Sequence, residues 1–297
     1  MMNNTQETET NEDELLVVFD AVQYEYKQMA SWYDSFWSSY TNGTLRIPLN
    51  EVLNYMQNNV NTRDGSSEGN KQLLTVIDVG CGTGSFLRGL LDTFTTNYGS
   101  LCNSITLNLI GVEPSPEMLE QARKKFQYYE SNSSTSIVLK QSPAEQLPID
   151  DDDTANVIVS TNAFHFFRNK DTALQEMKRV LKQNGSLVIT DWCNDYLIVK
   201  LYHLLERIRW NWRFKESYPA PLSSCHLINL VKTAGFCDVQ HTKYTVRIFS
   251  VIFWGMQTIT ATKKDESLWV CDNCQRASFV DYDDALAHEK ECTGVNS

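Results

Sequence analysis

The 297-residue sequence predicts an α/β fold: a seven-stranded, mostly parallel sheet with helices on both faces, followed by a small ββα unit near the carboxyl end. Three observations predict it. Short apolar runs alternate with amphipathic segments from about Leu73 to Lys264, and that alternation builds parallel strands joined by covering helices. The first such run leads directly into a glycine-rich turn, "TVIDVGCGTGSF" (75–86), at the edge where open α/β sheets hold ligands. The tail places Cys271, Cys274, His288 and Cys292 in order, spaced for a tetrahedral metal site.

Each element follows from its own residues. Residues 1–14 hold five carboxylates and no Lys or Arg, too little apolar surface to offset the entropy of ordering, and are expected to be a disordered acidic tail. Residues 15–264 are expected to form the α/β domain, its ligand-holding core starting at residue 73, and residues 267–297 the small unit. "LLVVFDAVQYEYKQMASWYDSFWSSY" (15–40) is aromatic-rich at mixed helical spacing and predicts one or two helices lying over something. The polar stretch 59–72 reads as a loop. Then come strand "LLTVIDVG", helix "SFLRGLLDTF", strand "LNLIGVEP", helix "PEMLEQARKKFQYY", strands "SIVLKQ" and "NVIVSTN", helix "DTALQEMKRVLKQ" and strand "GSLVITDW". "SSCHLINLVKTAGF" is a helix closed by Gly235, and "CDVQHTKYTV" and "VIFWGMQTITATK" are two further strands.

A net charge of −11 makes the bulk surface repel nucleic-acid phosphates and anionic membranes, so neither is a default partner. No apolar run reaches the roughly 18 residues of a membrane span. The amino end lacks a basic segment and a small-residue cleavage site, and is not expected to be a signal or transit peptide. Of eight cysteines, five are scattered and three crowd the tail, the pattern of a reduced compartment with one metal site. A cytoplasmic location is expected, with the nucleus as the alternative.

Gly80, Gly82 and Gly84 are spaced G-x-G-x-G, with Asp78 two residues ahead. A carboxylate at this turn would repel a pyrophosphate but suits an ammonium group. The arrangement resembles the first motif of class I S-adenosylmethionine-dependent methyltransferases, and the resemblance runs from about Leu73 to Lys264. It implies a Rossmann-like fold and a turn, with Cys81, that holds the methionine part of the cofactor. Glu113, followed by Pro114, stands where that family hydrogen-bonds the ribose hydroxyls; its longer distance from Asp78 points to an insertion around "TTNYGSLCNS" (95–104). Ala144 and Glu145 would flank the adenine, and Thr161 closes the fourth strand at the same edge. Pro143 departs from the family by standing where an acid often meets the adenine amino group, which leaves adenine recognition to backbone groups or to Glu145.

Methyl transfer from a sulfonium is an in-line displacement that needs alignment and the exclusion of water. His165 and Asp191 follow the fourth strand and close the fifth, so they are the catalytic candidates if the acceptor profits from a base; His165 could equally stack in an aromatic cluster. "STNAF" replaces the Asn/Asp-Pro-Pro-aromatic sequence of the family's nucleic-acid and glutamine methylators. The aromatic segments 24–40 and 195–222 either cover the sheet or form a lid, and a lid implies an apolar or aromatic acceptor. The pattern looks most like the small-molecule branch. A protein or RNA methyltransferase recruited by the tail, or an idle binding protein, are the alternatives.

The tail resembles a CCHC variant of the ββα zinc finger, which implies a structural zinc held by Cys271, Cys274, His288 and Cys292. Its helix presents Asp281, Asp283, Asp284, Glu289 and Glu291 against Lys290 alone, so a protein-docking finger is expected and not a reader of nucleic acid.

Overall fold

The computed structural model describes residues 21–59, 71–97, 105–129, 135–214, 219–248, 252–264, 269–270, 273, 278–279 and 282–292. The expected acidic tail, most of the 59–72 loop, the centre of the proposed insertion and the tail cysteines Cys271 and Cys274 lie outside these residues. The chain divides into two compact units, Met1–Lys263 and Lys264–Ser297.

In the first unit, residues 21–29 are helical (α1) and α2 spans Tyr33–Asn59. The sheet elements follow: β1 Gln72–Val79, α3 Ser85–Asn97, β2 Ile105–Glu113, α4 Pro116–Phe126, β3 Thr135–Gln141, β4 Ala155–Thr161, a 3₁₀ turn Phe164–Phe166, α5 Lys170–Val180, β5 Leu181–Trp192, α6 Leu197–Phe214, α7 Ser224–Thr233, β6 Cys237–Ile248 and β7 Ile252–Thr262. The strand order is β3-β2-β1-β4-β5-β7-β6. All neighbours are parallel except around β7, which runs against both β5 and β6. Chain order reverses between β1 and β4, so the crevice outside their carboxyl ends is the expected ligand position.

Strand residues alternate between two apolar layers. Leu74 and Val76 of β1 face α2, α3 and α4, whereas Ile77 and Val79 face α5 and α7. This double burial is why the strands read as continuous apolar runs. Helix starts are set by capping: Ser115 Oγ accepts from the Met118 amide with Pro116 opening α4, Asn169 Oδ1 accepts from Thr172 at α5, and Ser223 Oγ accepts from His226 at α7. Helix α5 ends at Val180, three residues before its expected end. Leu181 already belongs to β5, pairs with Ala155 and is fully buried, so the chain gains a core residue by leaving the helix there.

Helix α2 buries Tyr40, Thr44, Leu45, Pro48, Val52, Leu53 and Met56, one face at spacings of three and four. Pro48 has no amide hydrogen to give to the Thr44 carbonyl four residues earlier. The Tyr244 hydroxyl of β6 donates to that carbonyl instead, at 3.4 Å, which ties the proline position to the sheet.

The second unit has the ββα order. Trp269–Val270 (β8) pairs antiparallel with Ser278–Phe279 (β9), and α8 spans Tyr282–Glu291. Asn273, between Cys271 and Cys274 in the sequence, donates its side-chain amide to the carbonyls of Glu289 (3.0 Å) and Cys292 (3.3 Å).

Candidate active site

The turn after β1 places Gly80, Gly82 and Gly84 at φ of 78°, 53° and 76°, a region L-residues with a Cβ rarely adopt. Space separates their roles. A Cβ on Gly80 would lie 2.5 Å from the Ala163 Cβ, and one on Gly84 2.7 Å from the Phe126 ring, whereas one on Gly82 would meet only the Met118 Cε at 3.5 Å. Gly80 and Gly84 thus admit close packing of a neighbouring loop and helix, and Gly82 opens onto space. That space is a cavity of about 890 Å³.

Gly80, Cys81, Gly82, Glu113 and Pro114 line one side of this cavity, and Ala144, Glu145 and Thr161 line another. Glu113 closes β2 with Oε2 accepting from the Gly82 amide (3.0 Å) and Oε1 from the Ser115 amide (2.9 Å). Burial pushes its carboxyl up to about 7 despite these two donors, which act the other way. Glu145 Oε1 accepts from the Asn169 amide at 2.9 Å, so that oxygen is engaged at the start of α5.

Two expected cavity residues are not on its wall. Gly84 packs against α4. Asp78, expected at the mouth of the turn, shares the parity of Leu74 and Val76 and is fully buried on that side of the sheet. Both its carboxylate oxygens lack a hydrogen-bond partner, and burial, then the charge of Glu113, push its carboxyl up to about 8.

A second cavity of about 680 Å³ is walled by aromatic side chains: Tyr33, Trp37 and Tyr40 of α2, Phe166, Trp192 and Tyr202. His165 lies in its wall and is 1% exposed. Asp191, buried beside it, accepts from the His165 amide (2.8 Å) and the Trp192 amide (2.7 Å) and lies 2.7 Å from the His165 Nδ1. A carboxylate so placed accepts, which assigns the imidazole hydrogen to Nδ1. The buried Nε2 has no partner. Because Trp192 stacks on the His165 ring at 5.0 Å and Phe166 approaches it at 3.9 Å, the cavity position and the aromatic cluster expected as alternatives are both present.

Five residues line both cavities: Val22, Tyr26, Tyr33, Asn162 and Phe166. Asn162, just beyond β4, has φ of 57°, a left-handed conformation that asparagine tolerates. Its Oδ1 accepts from the Tyr40 hydroxyl (2.7 Å) and its amide donates to Thr44 Oγ1 (3.0 Å), while the Trp192 indole donates to Tyr40. Sequence reasoning missed Asn162 and Tyr33. Asn162 had a signal, a polar residue one step past a buried strand at the ligand edge. Tyr33 had none, because its place depends on Asp34, which accepts from Thr83 (2.5 Å) and pairs with Lys125 (2.9 Å) and so pins α2 to the glycine turn.

Among the described residues no group of three or more His, Cys, Asp or Glu is arranged to hold a metal, and Cys271 and Cys274 are outside them. Also among the described residues, no helix is long and apolar enough to cross a membrane.

Residues 77–189 match the methyltransferase domain family. The chain is 26% identical over 153 residues to an uncharacterized methyltransferase-like protein of Schizosaccharomyces pombe, covering 48% of this chain and 52% of that one. It is 28% identical over 130 residues to a ubiquinone/menaquinone biosynthesis C-methyltransferase of Citrifermentans bemidjiense, covering 43% of this chain and 50% of that one. A non-reducing polyketide synthase of Penicillium roqueforti matches 50% of this chain with 27% identity, but only 6% of its own length is involved. The chain thus spans about half the length of these relatives or far less. Among solved structures, an S-adenosylmethionine-dependent methyltransferase of Thermotoga maritima superposes with a TM-score of 0.53 at 19% identity, covering 80% of this chain and 98% of that one, a likeness of fold. The family match lies over residues 77–189, and the sheet built around them shares the fold of that S-adenosylmethionine-dependent methyltransferase structure.

Proposed function

We propose that this chain transfers a methyl group from S-adenosylmethionine to a small apolar or aromatic acceptor. The observation that carries the proposal is the pair of cavities, one at the glycine turn and one aromatic, meeting at a shared wall of five residues. The residues suit the cofactor. Asp78 holds a buried carboxyl group lacking hydrogen-bond partners, whose charged form a neighbouring ammonium group would favour, and Gly82 leaves open the space a Cβ would fill. In this reading Gly80, Cys81, Gly82 and Asp78 serve the methionine part, Glu113 and Pro114 the ribose, and Ala144, Glu145 and Thr161 the adenine side, with Gly84 supporting the turn from behind. The cofactor supplies an electrophilic methyl group. The chain's own task is to align the acceptor, keep water out behind α1 and α2, and take up any proton the acceptor loses. His165 Nε2 is the atom assigned to that proton, with Asp191 holding the tautomer and stabilising the charged ring.

The second unit is proposed to hold a structural zinc through Cys271, Cys274, His288 and Cys292. The Cys292 amide donates to the His288 carbonyl at 2.8 Å, so the helical spacing that puts both on one face is kept, and Asn273 brings the stretch between the two cysteines to the same helix end. A protein-docking role and a reduced compartment, cytoplasmic or nuclear, belong to the same proposal.

The test is a methylation assay with labelled donor on a cell extract separated into small-molecule, protein and RNA fractions. Label in the small-molecule fraction, lost with His165→Ala, is expected. Label confined to protein or RNA would replace the acceptor class, and no labelling despite cofactor binding would point to an idle scaffold.

A further inference from the structure

Helix α6 turns two different faces outward and inward. Its inward face meets the acceptor cavity through Tyr202, Glu206, Arg209 and Trp210. Its outward face is a continuous apolar stripe: Leu197, Leu201, Leu204, Leu205, Ile208 and Trp212 follow one another at helical spacing and are all exposed, Leu197 by 81% and Trp212 by 86%. Scattered exposed apolar residues need no explanation, but six aligned along about 24 Å of one helix do. The stripe has one basic margin. Lys200 and Arg207, both exposed, border one side and give the stripe its positive edge, while on the other side Arg209 pairs with Glu206 and Arg213 with Glu25 of α1. In a chain of net charge −11 this helix alone carries four basic residues against one acidic.

We propose that α6 docks the protein on an anionic lipid surface. An apolar stripe with Leu, Ile and Trp, edged by Lys and Arg, is the composition of a helix that lies in the headgroup layer with its apolar face in the acyl boundary. Charge favours lipid over a second copy of the chain, because two-fold pairing of α6 would bring two copies of the same basic margin to one seam, whereas an anionic bilayer neutralises it. The bulk acidity read from the sequence does not oppose this, since exposed charges beyond about 8 Å are screened at physiological salt and the helix meets the surface with its own charge. A consequence resting on the two-cavity reading is that an apolar acceptor reaches the cavity from the lipid phase, past the helix that lies between them.

The experiment is flotation of the full chain with vesicles of phosphatidylcholine, alone or mixed with phosphatidylserine, using Leu205→Glu/Ile208→Glu and Lys200→Glu/Arg207→Glu variants. Both pairs are at exposed positions, so folding is retained and is checked by thermal unfolding and by S-adenosylmethionine binding in calorimetry. Expected are binding to the anionic vesicles, weakened by salt, its loss in the Leu205/Ile208 variant, and a drop of roughly five-fold or more per reversed basic residue. Overturning results are absence of binding to anionic vesicles, binding by both variants as tight as that of the wild type, or a wild-type dimer in light scattering that Leu205→Glu/Ile208→Glu converts to monomer, which would mean a second copy covers the stripe. Cofactor binding is read separately in every arm, so failure of the docking proposal leaves the methyltransferase reading standing, and the reverse.

Discussion

Asp78 and Glu113 sit in the same buried corner and carry the strongest pH signal of the cofactor side. Asp78 moves from an ordinary 3.8 to about 8 on folding and Glu113 from 4.5 to about 7, burial being the first cause for each. The folded protein therefore binds more protons than the unfolded chain across this window. Their contribution to stability is fully present below about 4 and is lost as the pH rises through 7 to 8. Thermal unfolding of the cofactor-free protein should show its midpoint falling from about pH 5 to about pH 8.5, and Asp78→Asn should flatten much of the fall while weakening cofactor binding. A midpoint equally pH-dependent in Asp78→Asn would remove the residue from this role. Glu113→Ala takes away the acceptor of two buried amides and the proposed ribose contact, so affinity should drop by about 1.5 to 3 kcal/mol in calorimetry, the range for a hydrogen bond to a charged group. On the acceptor side, His165→Ala and Asp191→Asn should keep cofactor affinity and lose turnover; full turnover in both on an identified acceptor would put any base elsewhere.

At the scale of elements, α1 spans the two cavities and is fastened toward each of them. Lys27 pairs with Glu117 of α4 at 3.3 Å on the cofactor side, while Glu25 pairs with Arg213 of α6 at 2.6 Å on the acceptor side. Tyr26 sets its ring edge-on to Phe166 at 5.5 Å between them. Because the ion pairs are partly exposed, each is worth at most about 1 kcal/mol. Glu25→Gln should therefore raise the KM for the acceptor a few-fold with little change in the dissociation constant of the cofactor, and an unchanged KM would mean that α1 does not close the acceptor cavity. This element also marks how far the sequence could be read. The strands, the glycine turn, Glu113 and the positions of His165 and Asp191 were legible because they rest on local patterns: apolar runs, a spacing of glycines, the last residue of a strand. Tyr33 and Asn162 were not singled out, since their value comes from α2 crossing the carboxyl edge of the sheet, a long-range arrangement held by Asp34 with Thr83 and Lys125. Asp78 was read at the mouth of the turn, and what local spacing did not reveal is that strand parity sets its carboxyl in the buried layer behind the turn. Residues 41–58, the rest of α2, carried no assignment from the sequence, and Pro48 is accommodated there because the Tyr244 hydroxyl supplies the missing donor.

On the scale of the whole molecule, a sheet with a cavity at its glycine turn and an aromatic cover belongs to one unit, and the ββα elements belong to a second unit of thirty-four residues. So small a unit has little core to offset chain entropy, and the proposed zinc would provide the folding free energy. Removing metal with a chelator should unfold the second unit in the full chain, read as loss of hydrogen-exchange protection over residues 269–292, while the glycine-turn region stays protected. Retained protection there in metal-free protein would contradict a zinc-dependent fold. The claim on which the rest depends is that the cavity at Gly82 receives S-adenosylmethionine. Calorimetric titration of that cofactor into the wild-type chain and into Gly82→Val tests it directly, because Val at φ of 53° puts a branched side chain into the open space while the fold of the sheet is checked by circular dichroism. One saturable binding event in the wild type, abolished in a folded Gly82→Val variant, is the result predicted; no binding by the wild type, or equal affinity in the variant, would contradict it.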